Sequence, residues 1–422
     1  MTATQRSVII QAAQTRDGAS WHNAPYQKLE GGNMWIGPRV KAAFFSCVFL
    51  LLLVTQEAAT RLKAAAQQNA AAADSTCSLI TLHMKDAPVD AVYSEIARQA
   101  GVRLAPPAGR SLVPNVSMDV EQQPFWRVIH QLAGQTGFAP APSLSADFER
   151  EILLRSNPGW ANARSYLSGC VLFVADSVSF NQSYSYISQT QTQSSISLRI
   201  YAYVDPKVDV LELMALRLDE AVDENGKSIL IDPRYGGALS GGGGIGGLLS
   251  GSIRLAFSRD TGKRIARLKG SARFALCTKR ETWEVADIRN AKDVVRIMSP
   301  GTYTIKGLEN QADNPSAYIL RIEIEQAGAT RSLTPLTIFG AFPNGPRLLD
   351  ENGRAYQSGG GGGGTAGGGP LRYSFRFRDP ANDSQKLGPP ARLIWNIPVE
   401  MKELGVPLEL TDLPIPIKTG GH

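Results

Sequence analysis

Histidine and cysteine are scarce in this chain, four of each among 422 residues. Cys47, Cys77, Cys170 and Cys277 lie far apart and none has a C-x-x-C partner, which leaves no zinc cage and no dithiol redox motif. His83 and His130 are the histidines that fall inside patterned segments. One sits on the polar phase of an alternating run and the other outside an apolar stripe, so both are expected at the surface. No Ser, Cys or carboxylate constellation accompanies them, and no catalytic or metal site is assigned. The long apolar stretch a membrane span needs, ~20 residues, is missing. One-sided charge is missing too: 44 Lys and Arg stand against 38 Asp and Glu, a net +6. Arg254, Arg259, Lys263, Arg264, Arg267 and Lys269 are interleaved along strand-like runs, as on a solvated sheet face rather than a nucleic-acid stripe. Charged residues are 19% and hydrophobic ones 43%, which suits a folded chain. The abundant residues are glycine and proline, 41 and 25, as in β-rich proteins with long loops.

The strongest apolar run, Ala42–Val54, follows Arg39 and Lys41. A basic flank and a short apolar core are the pattern of a secretory signal. Cleavage has no clean A-x-A site, and a retained anchor is the other reading. Residues 1–33 lack periodicity. The Glu30-Gly31-Gly32-Asn33 stretch before Met34 suggests translation from Met34, residues 1–33 being a leader; a polar tail is the alternative. Residues 34–77 are then signal and Ala/Gln-rich linker. Export places the chain where disulfides persist. Cys47 leaves with the signal or stays with the membrane. Three cysteines remain, and they allow a Cys170–Cys277 bridge or buried free thiols.

Residues 78–150 form a small α+β module. Ile80, Leu82 and Met84 alternate with polar residues at strand spacing. Asp86 stands at an N-cap position with Pro88 behind it. Val89, Val92, Tyr93, Ile96 and Ala100 recur at helical spacing before Gly101. The pattern then returns with Val116, Met118 and Val120, Pro124, and the stripe Phe125, Val128, Ile129 and Leu132 ending at Gly137. Pro88 and Pro124, Val92 and Val128, Gly101 and Gly137 are each 36 residues apart. Two β-α-β units are therefore expected side by side.

The stretches ITLHMKDAPVDAVYSEIARQAGVRL and VSMDVEQQPFWRVIHQLAGQTGF resemble the short N-terminal domain of bacterial secretins and TonB-dependent receptors. Asp86, Pro88 and Val92 match the family's first unit, and Val120, Pro124 and Val128 its second, with Val for the usual Leu in both. The resemblance covers about 65 residues. It implies a periplasmic protein-interaction module rather than an enzyme. No secretin pore segment or receptor barrel follows it.

From about residue 165 the chain reads as short alternating strands with turn-rich gaps, the pattern of β-sandwiches; Ala286–Ile297 is the one place for a short helix. LRIYAYVDP at Leu198 resembles LRIEIEQAG at Leu320, and VDENGKS at Val222 resembles LDENGRA at Leu349. Each copy then carries a glycine tract, Gly236–Gly251 and Gly359–Gly369. Two tandem antiparallel sandwiches from an internal duplication are expected, at 165–285 and 286–418. The segment Ser179–Ser197 is an edge strand or a long polar loop.

Three motifs suggest ligand chemistry. Gly242-x-Gly244-x-x-Gly247 has dinucleotide spacing, but a strand-like run follows where a helix is required. Gly226-Lys227-Ser228 resembles the end of a phosphate loop, although Ala221 stands where its first glycine belongs. Asp223, Glu224, Asp350 and Glu351 could attract calcium, but the distal Glu of such a loop is missing. Tight turns at Asn225-Gly226 and Asn352-Gly353 account for these residues better. No cofactor or metal is expected. The interaction candidates are Trp126, beside the Phe125 stripe, and Tyr235 and Tyr356, one beside each glycine tract. The expected function is an exported, envelope-associated docking protein without enzymatic activity, with an envelope protein as partner. The alternatives are glycan binding by the sandwiches, tested by Tyr235→Ala and Tyr356→Ala, or an envelope-polymer hydrolase whose site the sequence does not reveal.

Overall fold

The computed structural model describes residues 77–105, 115–141, 151–186, 190–231, 242–245, 248–258, 260–299, 301–311, 314–326, 345–364, 369–380 and 386–416. The reading of residues 1–76 therefore lies outside the described residues.

The module begins with β1 (Leu79–Ala87), α1 (Val89–Ala100) and β2 (Arg103–Ala105). It repeats with β3 (Val116–Pro124), α2 (Phe125–Thr136) and β4 (Phe138–Ala141). Each helix starts after a proline of the same backbone shape, Pro88 at φ −56°, ψ 135° and Pro124 at φ −56°, ψ 138°. Each stops at a left-handed glycine, Gly101 at φ 66° and Gly137 at φ 70°, where a side chain would be strained. The prolines take the N-cap positions, so Asp86 does not cap α1. Asp86 instead has φ 51°, and Gln122, its counterpart in the second unit, has φ 49°. Both lie at register shifts of the antiparallel β1–β3 pair, or directly beside one. Strand β5 (Glu151–Ser156) joins β2 in parallel and β4 antiparallel. A 3₁₀ turn follows at Trp160–Asn162.

The remainder is all β. Strands β6 (Ser165–Ser168), β7 (Val171–Ser185), β8 (Thr190–Val204), β10 (Gly242–Ile245) and β11 (Leu248–Ala256) form a sheet in the order β10-β11-β8-β7-β6. Strands β13 (Val294–Met298), β14 (Gly301–Gln311), β15 (Asn314–Gln326), β17 (Gln357–Gly364) and β18 (Leu371–Arg378) form a second sheet with the corresponding order, β17-β18-β15-β14-β13. Between them runs one four-stranded sheet, β16 (Arg347–Asp350), β19 (Pro390–Pro414), β12 (Arg264–Ala286) and β9 (Val210–Asp223).

The two central strands are 23 and 25 residues long, several times the usual ~5–6, and each serves two cores. Ile265, Leu268, Ala272 and Phe274 of β12 meet Leu404 to Leu413 of β19 in the first core. Trp283 and Val285 of β12 meet Leu393, Trp395, Ile397 and Val399 of β19 in the second. The register between them shifts at Cys277–Lys279–Arg280. A cut at 285/286 therefore does not separate the sandwiches, because each one is completed by half of the other's long strand. Ala286–Ile297 holds a turn and the start of β13 rather than a helix.

Strands β7 and β8 are covered on both faces over Val171–Val174 and Ile200–Val204. Val171, Phe173, Ile200, Ala202 and Val204 face the first sandwich core. Leu172, Val174 and Tyr203 face the other way and join the module's core with Trp126, Ile129 and Trp160. This explains the unbroken apolar run Cys170–Ala175, which alternates only weakly because both of its phases are covered.

Candidate functional site

The module is fastened to the first sandwich at several points. Cys77 and Cys170 form a disulfide with their Cα atoms 5.2 Å apart. This corrects the Cys170–Cys277 pairing: Cys277 lies at the register shift of the long strands and is free. Burial pushes the Cys277 thiol up to about 11. Next to the disulfide, buried Ser78 donates its N–H and its hydroxyl to the two carboxylate oxygens of buried Asp205, each at 2.9 Å. Trp160 Nε1 donates to the Tyr203 hydroxyl at 3.0 Å. Burial raises the Tyr203 pKa, and the Trp160 donation opposes it. The Trp126 and Tyr203 rings stand 5.1 Å apart, and those of His130 and Trp160 4.9 Å.

The sequence-predicted positions now have definite places. Trp126 is 3% exposed and part of the seam between module and sandwich, so it is not a surface anchor. His130 is half-buried against Trp160, not at the surface; desolvation lowers its pKa and a bond to the Trp160 backbone opposes this. Tyr356 is 5% exposed in the second core and donates its hydroxyl to the Gly388 carbonyl at 2.5 Å. It offers no ring face to a glycan. Tyr235 lies outside the described residues.

The module shows to solvent the outer side of α1, with Asp90, Ser94 and Arg98, and one face of the β1–β3 sheet. Ile80, Leu82, Val116 and Met118 turn inward, and the opposite phase carries His83, Lys85, Ser117, Asp119 and Glu121. His83 and Asp119 are cross-strand partners, with Nδ1 2.6 Å from Oδ1 and side chains 66% and 87% exposed. The sheet has two strands, and its outer edges are partly closed by the helices. Gln99 of α1 both accepts from the Thr81 N–H (2.9 Å) and donates to the Thr81 carbonyl (2.8 Å). Gln135 of α2 donates to the Ser117 carbonyl at 3.2 Å. The side-chain amides occupy the positions an incoming strand would use. Sequence reading missed this pair, although Gln99 and Gln135 share the spacing of the two prolines.

The Asp-Glu-Asn-Gly segments are twin structural turns. Asp223 Oδ1 accepts from the N–H groups of Asn225 and Lys227, both at 2.9 Å, and Oδ2 from Gly262 at 2.8 Å. Asp350 Oδ1 accepts from Asn352 at 2.9 Å and Arg354 at 2.8 Å, and Oδ2 from Gly388 at 3.1 Å. Gly226 and Gly353 both have φ 77°, the left-handed turn conformation glycine supplies. Burial alone raises each aspartate's pKa. The donated N–H groups, with the Lys227 charge at Asp223 and the Arg354 guanidinium at Asp350, outweigh it and hold both below the usual range. Glu224 Oε1 is engaged by the Lys263 N–H at 2.8 Å. Asp223 and Asp350 are turned into the fold, while Glu224 and Glu351 lie exposed on the turns. Among the described residues no group of three or more His, Cys, Asp and Glu side chains is placed to hold a metal. Gly242–Ile245 is itself strand β10, paired with β11, and no helix follows it.

A polar cleft of about 480 Å³ lies between β6 and β19, lined by Arg164, Tyr166, Glu409 and Thr411 among others. The Arg164 charge is already met by Asp412, which also pairs with Arg264.

No family model matches the chain, and no curated protein does. A solved structure described as the conserved domain protein from Bacillus anthracis aligns with 67% of this chain and 98% of its own, at 11% identity and a TM-score of 0.16.

Proposed function

We propose that the protein is an exported, envelope-associated docking protein that works by binding rather than catalysis. The exposed β1–β3 face of its N-terminal module is the contact surface for an envelope protein. The observation that carries this reading is the mounting of the module. A disulfide, the Ser78–Asp205 pair and a buried aromatic seam hold it on the first sandwich. The same arrangement leaves the His83–Asp119 face in solvent. A disulfide is at home in an exported protein, in line with the signal-like Ala42–Val54 run. The resemblance of the module to the short N-terminal domain of secretins and TonB-dependent receptors points to a periplasmic partner. α2 is buried in the seam and the strand edges are met by Gln99 and Gln135, which leaves the sheet face and the outer side of α1 in solvent; the sheet face is the one built by both β-α-β units.

The test is in-cell photocrosslinking with a photoreactive residue at His83, compared with one at Arg376 on the exposed face of β18. The expected result is an envelope protein captured from position 83 and not from 376, and lost with Asp119→Lys. Equal capture from both positions, or none from 83, refutes the reading.

A further inference from the structure

The β7–β8 hairpin outgrows its sheet. Strand β6 pairs with β7 only over Val171–Val174, and a bond from the Ala175 N–H to Arg164 ends that contact. Strand β11 pairs with β8 only down to Ser195, and a last bond joins the Phe257 N–H to Ser194. The two strands nevertheless stay paired with each other to Ser185↔Thr190. Among the described residues, β7 from Asp176 to Ser185 and β8 from Thr190 to Gln193 thus have free outer edges.

An exposed edge is normally guarded by charge, proline or a bulge close to the tip. This hairpin has register shifts at Ala175/Ser177 and Ser183/Tyr184, but no charged residue and no proline occurs from Ser177 through Leu198. The residues are Ser, Thr, Gln, Asn, Tyr, Phe, Ile, Val and Leu, many of them strand formers. Phe180 is 41% exposed and Tyr186 87%. The corresponding β14–β15 hairpin is different. It turns between Gln311 and Asn314 and carries Lys306, Glu309, Arg321 and Glu323, which form ion pairs over its surface. Of these two hairpins, β7–β8 is the one whose far end carries neither charge nor proline.

We propose that this hairpin is a self-association element, in which the β7 edge of one copy pairs with the β8 edge of the next. The two strands run in opposite directions, so hairpins set side by side continue an antiparallel sheet. One hairpin presents both halves of the contact, whereas a single extended peptide would leave one edge unmet. Charges of both signs are spread over the rest of the chain, 44 Lys and Arg against 38 Asp and Glu, and bringing them into a contact would cost desolvation. A tip without charge is where they approach at least cost. A contact between unlike edges is head-to-tail, and it closes into a ring or extends.

The test is sedimentation velocity on the full chain with two edge variants. One carries Asn181→Lys and Ser183→Lys on β7, the other Thr190→Lys and Thr192→Lys on β8. The expected result is association of the wild type and a tenfold or greater weakening in each variant alone. An equimolar mixture restores dimers and nothing larger, because each variant keeps the edge the other lacks. Unchanged thermal unfolding of the variants shows that they fold. A wild type that stays monomeric at ~100 µM overturns the proposal. So does a variant that associates like the wild type, or a mixture that stays monomeric.

Discussion

Replacing Asp223 with alanine removes the acceptor for three backbone N–H groups, those of Asn225, Lys227 and Gly262. Hydrogen bonds to a charged group contribute about 1.5–3 kcal/mol each, and a buried donor left unmet costs about 1–3 kcal/mol. The Asn225 and Lys227 donors sit on an exposed turn and regain water. The bond from the Gly262 N–H is buried, because Asp223 is 1% exposed. The expected loss is therefore about 3–5 kcal/mol, a large part of the ~5–15 kcal/mol that holds a domain folded. Asp223→Asn keeps one acceptor oxygen but turns an amide N–H toward a donor, and should lose roughly half as much. Asp260→Ala, which removes the exposed ion pair with Lys227, should cost under ~1 kcal/mol. Equilibrium denaturation of the three variants decides the matter. A loss below ~1 kcal/mol for Asp223→Ala, or one no larger than that of Asp260→Ala, would refute the structural role of the turn.

Further outcomes follow from other parts of the fold. Asp223 and Asp350 both have lowered folded-state pKa values, so their contribution is complete above the unfolded value of about 3.9 and fades as pH falls through the folded value; acid titration of stability should be steeper below about pH 4 in the wild type than in an Asp223→Asn/Asp350→Asn double variant. Reducing the Cys77–Cys170 bridge, which spans 93 positions, should destabilise the oxidised protein by about 2–5 kcal/mol, read from unfolding with and without reductant. Tyr203→Phe should cost about 1–3 kcal/mol by leaving Trp160 Nε1 buried without its acceptor. Gly270→Ala should cost more than a surface substitution, because a Cβ there would lie 2.0 Å from the Arg217 carbonyl oxygen; an unchanged melting temperature would contradict that close approach of β12 and β9.

The module was largely legible because its signals are local. Prolines, terminal glycines and apolar stripes fix each helix within one turn of the sequence, and the repeat spacing confirmed each unit against the other. The strands of the sandwiches were legible for the same reason. The pairing of Cys170 was not, because nothing in the sequence showed that the module packs on the outer face of β7 and β8 and so carries Cys77 to it. Trp126 read as off the stripe because the stripe describes one covered face, whereas α2 is covered on two. The shared long strands were hidden by their own alternation: Trp283 and Phe274 look like members of one core, and only the twist and register of β12 assign them to different ones. Tyr356 was chosen for its neighbour, a glycine tract, and its hydroxyl proved to be holding the Gly388 loop.

The central claim, an exported docking protein with its module locked in place, is tested most directly by differential alkylation of the cysteines in intact cells. Rapid trapping, denaturation and mass spectrometry should find Cys77 and Cys170 protected from the first reagent and linked to each other, with Cys277 labelled on unfolding. Finding Cys77 and Cys170 alkylated to the same extent as Cys277 would contradict both the oxidising compartment and the covalent mounting of the module.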